Sequence, residues 1–301
     1  MHRALILLAL SCTVCPEQPP FVLAPTSPVR VGLPAPAAST CQGELMLLTY
    51  NVAGLPWGLS SSHPQCNTPR ISPLLNHFDL VLMQEDFVFT AELASRAQHP
   101  FKTRHDHLFN NGLTIFSSFP LGPRDTFRWR HCHGVFDASS DCMAPKGFSL
   151  TTVTLAPGVE VDLYNLHMDS GLTIGDHSAR LLQVHQLLQV LWHRSAGRPV
   201  IVAGDTNLEV DRLPQDIRLL DQLLASAHLV DACRQVRCPE QGRIDRVMVR
   251  GTASLQLRPL SWSVDARFVD DDGEDLSDHK AVAVRIGWSI GGGGGSLAAS
   301  D

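Results

Sequence analysis

VIVAGDTNLE, residues 200–209, starts as a short apolar run and breaks into Gly204, Asp205 and Asn207. A run this short and this rich in Val and Ile reads as a buried strand, and the polar residues after it are delivered to the edge of a sheet. The same grammar recurs five more times: LLTYNVAG with Asn51, LVLMQED with Glu85, VDLYNLHMD with His167, GRIDRVMV with Asp245, and LSDHKAVAV with Asp278 and His279. A single Asp at a strand end is ordinarily a loop cap. Carboxylates, carboxamides and imidazoles brought together from six places make a metal and phosphate site.

Working outward, strands are expected at 44–51, 80–84, 113–117, 148–155, 161–166, 200–203, 245–249 and 281–286. Helical stretches are expected at 72–77 and 90–97, and the clearest amphipathic helix at 177–194, where Leu181, Val184, Leu188 and Leu191 recur at helical spacing. The alternation implies an α/β fold with two stacked mixed sheets and helices outside, a four-layer sandwich.

The motif series resembles the endonuclease/exonuclease/phosphatase superfamily of Mg²⁺-dependent phosphoesterases, the deoxyribonuclease I-like fold. QE, GDxN and SDH in that order carry the resemblance, which runs from about Leu45 to Ile286. It implies a hydrolase that uses Mg²⁺, with Mn²⁺ as substitute. Glu85 would be the principal metal ligand, with Asp278 as a further or water-mediated one; Asn51 would serve either the metal or a phosphate oxygen. Asp205 and His279 would position the attacking water. Asp245 would fix the His279 tautomer and stabilise the imidazolium. Asn207 and His167 would hold the phosphoryl oxygens.

Lys146 in APKGF, just before a strand, resembles the Lys-Gly element of the neutral and bacterial sphingomyelinases, and NNGLTIF and AGLP fit the same branch. This implies a phospholipid substrate at a membrane surface, contacted by Lys146. Trp57, Phe87 and Phe89 would either touch acyl chains or cap the core. Asp169 in HMDSG departs from the branch's usual histidine strand. A secreted nuclease and a phosphatase are the alternatives. A net charge of −6 and scattered basic residues disfavour a strong nucleic-acid binder.

The chain has 301 residues, 44% of them hydrophobic and 18% charged, enough for one large core. The expected organisation is an export signal over 1–15, a Pro/Ala-rich linker over 16–40, a catalytic domain over 41–288 and a Gly-rich tail over 289–301, with a monomer as the expected state. No run reaches the roughly 18 to 20 apolar residues of a membrane span. The expected location is secreted or periplasmic, with a poor lipoprotein box ahead of Cys12 keeping lipid anchoring open. Of 8 Cys, 2 fall in the leader, and the remaining 6 suggest the pairs Cys132–Cys142, Cys233–Cys238 and Cys41–Cys66. A zinc site from His131, Cys132, His133 and Cys142 is the competing reading, though its ligand spacing is unusual for structural zinc.

Overall fold

The computed structural model describes residues 42–55, 62–103, 111–134, 142 and 144–291. In chain order the elements are β1 (Gln42–Asn51), α1 (Pro64–Leu74), β2 (Leu80–Gln84), α2 (Thr90–Ala94), β3 (Phe101–Lys102), β4 (Thr114–Ser117), β5 (Asp125–Arg128), β6 (Gly147–Ala156), β7 (Val159–His167), α3 (Ile174–Arg194), β8 (Val200–Asp205), α4 (Pro214–Ala227), β9 (Val230–Asp231), α5 (Ala232–Val236), β10 (Asp245–Arg250), β11 (Leu255–Val264) and β12 (Val282–Ile290). They form two mixed six-stranded sheets, β11-β12-β1-β2-β4-β3 and β5-β6-β7-β8-β10-β9.

Strand side chains alternate between faces, and this parity builds the layers. Leu47, Leu82, Leu163, Ile201, Val247 and Val284 face inward and form the core between the sheets. Residues of the opposite parity face the helices. Tyr164, Val202 and Met248 pack with Val184, Leu188 and Leu191 of α3 and Leu219 and Leu223 of α4, while Leu48, Val81 and Phe116 pack with Ile71 of α1. Truncating one of these buried leucines to Ala costs about 2–5 kcal/mol.

β1 pairs parallel to β2, and β7 parallel to β8, so Asn51, Gln84, His167 and Asp205 all lie at carboxyl ends on one edge. β10 and β12 run antiparallel to their neighbours and bring their amino ends to that edge, with Asp245 opposite Asp205 and Val282 opposite Thr49. The motifs therefore meet at one edge of two sheets, four at strand ends and two at strand starts.

Several elements depart from the sequence reading. The helix expected at 72–77 is the end of α1, which starts at Pro64 and finishes in a 3-10 turn over Leu75–His77. α3 begins at Ile174, where Thr173 and Asp176 cap one another, Asp176 N–H donating to Thr173 Oγ1 at 3.3 Å and Thr173 N–H to Asp176 Oδ2 at 2.8 Å. α2 is shorter than expected, and α4, α5, β3, β5, β9 and β11 were not foreseen. Ser289 and Ile290, assigned to the tail, extend β12 and pair with Gln42 and Leu255.

Cys132–Cys142 and Cys233–Cys238 are disulfides. Bonded cysteines offer no thiolates, which removes the zinc reading; His133 Nδ1 instead meets Asp176 Oδ1 at 2.8 Å. Cys66 is also disulfide-bonded, whereas Cys41, the leader, the linker and Trp57 lie outside the described residues. No described helix is long and apolar enough to cross a membrane.

Candidate active site

Along the inward-facing rows the core changes character towards the shared edge. Leu47, Leu82, Leu163 and Ala203 give way to Thr49, Gln84 and Asn165, and these to Asn51, His167, Asp205 and Asp245. All four residues of the outermost layer are 1% exposed. Loops leaving the strands supply the rest: Glu85 directly after β2, Asn207 two residues after β8, and His279 three residues before β12.

Asp205 is the centre of the cluster. Its Oδ2 accepts from Asn51 Nδ2 at 3.1 Å and lies 3.4 Å from His167 Nε2 and 3.7 Å from His279 Nε2. Its Oδ1 accepts the Asn207 backbone N–H at 3.0 Å. Asn51 Nδ2 also donates to Glu85 Oε1 at 3.1 Å, and His167 Nε2 lies 3.8 Å from that oxygen. Behind His279, Nδ1 faces both Asp245 oxygens at 3.1 and 3.0 Å.

Burial pulls the His279 imidazole down, but Asp245, Asp205 and Asp278 together outweigh it and lift its pKa to about 10. Burial raises Asp205 to about 6, against the pull of the His279 charge and with Asp245 adding to the rise. His167 goes the other way: full burial, then the positive charges of Lys146 and His279, hold it neutral, well below the ordinary range. With its Nε2 turned to Asp205, His167 leaves Nδ1 buried and without a hydrogen-bond partner among the described residues.

Three of the turns that expose these groups carry residues in the left-handed region, Ala53 at φ 47°, Glu85 at 57° and Asn207 at 48°. Non-glycine residues seldom sit there, and they concentrate where surrounding structure holds a functional side chain in place. The Glu85 turn is pressed by Gly54, where a Cβ would come within 2.5 Å of the Glu85 carbonyl oxygen.

The donor set fits a hard divalent cation. The Glu85 side chain is 18% exposed at the open edge, and Asp205 stays raised by burial and by Asp245 although His279 and Lys146 pull it down. Ligand atoms of Asp205, Asp245 and His279 also lie within 4.8 Å of one another. That trio is occupied internally by the His279–Asp245 contact, so Glu85 is the better-placed oxygen ligand. Asn51 spends its Oδ1 on the Ala53 N–H at 3.0 Å and turns its nitrogen towards Glu85 and Asp205, an orientation suited to donating hydrogen bonds.

The Endonuclease/Exonuclease/phosphatase family model matches residues 48–279, a span that starts three residues before Asn51 and ends at His279. The chain belongs to the endonuclease/exonuclease/phosphatase family. Members of the endonuclease/exonuclease/phosphatase family are hydrolases acting on phosphoric esters. A sphingomyelinase of Mycobacterium tuberculosis is 32% identical over 271 residues, covering 81% of this chain and 53% of the relative, so the chain spans about half that protein's length. Sphingomyelinase C from Streptomyces griseocarneus has the same fold, with a TM-score of 0.60, 22% identity and coverage of 81% and 99% of the two chains. A mutant beta toxin from Staphylococcus aureus with bound magnesium ions shares it at a TM-score of 0.58, 16% identity and 80% and 99% coverage.

Lys146 lies one residue before β6: its Nζ donates to the Met168 carbonyl at 3.5 Å, the same oxygen that accepts from Asn207 Nδ2 at 3.0 Å. Asp278 is exposed; its carboxylate accepts from Ser277 Oγ at 3.3 Å and acts on His279 through its charge. Asp169 turns away into a buried lattice, accepting the His133 N–H at 2.7 Å and Gln183 Nε2 at 3.0 Å. Phe87 lies over Gly112, where a Cβ would meet its ring at 2.8 Å; Phe87 and Phe89 are both half-buried. Sequence reasoning passed over Asp86, whose carboxylate accepts from Thr114 Oγ1 at 2.5 Å and Thr90 Oγ1 at 2.9 Å and so holds the loop after Glu85. It quoted Gln84 only as the neighbour of Glu85 and passed over Asn165; both are fully buried beside the site. The parity of their strands was the available signal.

Proposed function

We propose that the protein is an exported, Mg²⁺-dependent phosphodiesterase of sphingomyelinase type that hydrolyses a phospholipid phosphodiester by attack of a positioned water. The observation that carries this reading is Asp205 Oδ2 held among Asn51, His167 and His279, with Asp245 behind His279. The sphingomyelinase relatives support the lipid substrate, and the disulfides support an oxidising compartment.

In this reading Asp205 and His279 orient the water and take its proton, and Asp245 keeps Nδ1–H of His279 in place so that Nε2 faces the reaction. Neutral His167 donates through Nε2–H to a phosphoryl oxygen. Asn207 and Asn51 add amide donors, and Lys146 adds a cation beside the phosphodiester. These hydrogen bonds strengthen as negative charge develops on the phosphoryl oxygens. Glu85, with Asp278 and Asn51 in the same sheet and its loops, would hold a divalent cation, which would supply charge neutralisation at the phosphate and offset the carboxylates that raise His279.

Release of phosphocholine from sphingomyelin dispersions tests the proposal. Activity is expected with Mg²⁺ or Mn²⁺, to vanish in excess chelator and to collapse in Glu85→Gln. Full turnover in chelator contradicts the metal-assisted reading.

A further inference from the structure

We propose that Gln84 and Asn165 form a buried amide clamp that sets the site residues of one sheet against those of the other, and so act as positioning residues. Gln84 Nε2 donates across the sheet interface to Asn165 Oδ1 at 2.8 Å and within its own sheet to Thr49 Oγ1 at 3.1 Å. Asn165 Nδ2 returns across the interface to the carbonyls of Met83 at 2.9 Å and Thr114 at 3.3 Å. One side chain of β7 is thus bonded to both β2 and β4, and both clamp residues are fully buried.

The location gives the clamp its purpose. Asn165 precedes His167 by two residues on the same face of β7, and His167 is the register partner of Asp205. Gln84 is the register partner of Asn51 and immediately precedes Glu85. The Asn51 Nδ2 bond to Asp205 Oδ2, 3.1 Å, spans the two sheets just outside the clamp. One layer deeper the same rows hold Leu47, Leu82 and Leu163. Leucines pack there without directional preference, whereas hydrogen bonds fix distance and angle. An amide pair buried where aliphatic side chains would pack is thereby suited to specifying sheet placement rather than adding stability.

The clamp also divides the site. The proposed metal ligand Glu85, and Asn51 and Asp278 with it, belong to the β1–β2–β12 sheet or its loops, while His167, Asp205, Asn207 and Asp245 belong to the other. Loss of the clamp misplaces one set against the other while leaving each intact.

The catalytic part of this inference rests on the proposed hydrolysis; the structural part does not. The test pairs Gln84→Met with Asn165→Leu, removing both polar partners together so that neither remains buried and unsatisfied. A second variant, Gln84→Asn with Asn165→Gln, moves one methylene across the interface and keeps an amide pair. Thermal melting, Mn²⁺ affinity by electron paramagnetic resonance, kcat at saturating metal and substrate, and solvent exchange of the Asn51 side-chain amide in metal-free protein by NMR are measured for each. The apolar pair is expected to keep Mn²⁺ affinity within about twofold, to lose at least about tenfold in kcat per folded molecule, and to speed Asn51 exchange at least about tenfold. The exchanged-amide pair is expected to recover part of both losses. Unchanged Asn51 exchange in the folded apolar pair overturns the clamp, as does loss of Mn²⁺ affinity in parallel with kcat. Wild-type protein inactive on every phosphodiester, with Asn51 still freed by the apolar pair, overturns the proposed hydrolysis and leaves the clamp standing.

Discussion

Asp245→Asn removes one charge and keeps the shape, so its effect on His279 can be worked out. The Asp245 oxygens lie 3.0 and 3.1 Å from His279 Nδ1. Unit charges centred roughly 4 Å apart at an effective dielectric near 20 attract by about 4 kcal/mol, or about 3 pKa units. The imidazole, at about 10 in the metal-free protein, is then expected to fall by up to about three units, close to the ordinary histidine range. An asparagine can also present its amide nitrogen to Nδ1 and select the other tautomer, placing the proton on Nε2 where base action needs a lone pair. Turnover is expected to drop by about a hundredfold to ten-thousandfold. NMR titration of the His279 Cε1–H in metal-free wild type and variant reads the first effect, and steady-state hydrolysis with saturating Mg²⁺ reads the second. His279→Ala is expected to absorb nearly all of the Asp245→Asn loss, since groups acting as a unit are not additive. A variant whose His279 titrates within half a unit of wild type, or a double variant losing the full product of both effects, refutes the pairing.

Asp205→Asn is expected to lower turnover at least about a hundredfold while the protein stays folded, checked by kcat alongside thermal melting. Lys146→Ala is expected to weaken lipid hydrolysis while Mn²⁺ affinity is retained, because in the proposed reading the ammonium contacts the diester and not the ion; a parallel loss of metal binding contradicts that role. For the metal-free protein, His279 titrates higher folded than unfolded, so its stabilising contribution is complete below about pH 6.5 and is lost as pH rises towards about 10. Chemical denaturation across that window is expected to show falling stability, and His279→Gln to flatten the fall. Protein made in an oxidising compartment is expected to show no titratable thiol at Cys132, Cys142, Cys233 or Cys238, measured with a thiol reagent before and after denaturation.

The strands bearing the site were legible because each combines a short apolar run with a polar terminus, a pattern set by burial on both faces. What lay beyond reach followed from the same physics. β11 carries exposed residues at Gln256 and Arg258 and a Pro at 259, so its apolar signal is diluted at the sheet's edge. α4 did announce itself, with Pro214 in its first turn and Leu219, Leu220 and Leu223 on its buried side, but its charged residues interrupt the run that the eye follows. In the site, residues that end a strand stood out, Gln84 among them beside Glu85, whereas Asn165 did not, because a polar residue inside an apolar strand gains meaning only when the opposing sheet is known. The zinc reading gave way to the pairing that the short loop between Cys132 and Cys142 already favoured, and that bond is formed.

The central claim is that this edge hydrolyses a lipid phosphodiester. Sphingomyelin vesicles and supercoiled plasmid incubated together with the purified protein and Mg²⁺, followed by ³¹P NMR and gel electrophoresis, test it most directly. Rapid appearance of phosphocholine with the plasmid left supercoiled is the predicted result; nicked plasmid without phosphocholine would contradict it.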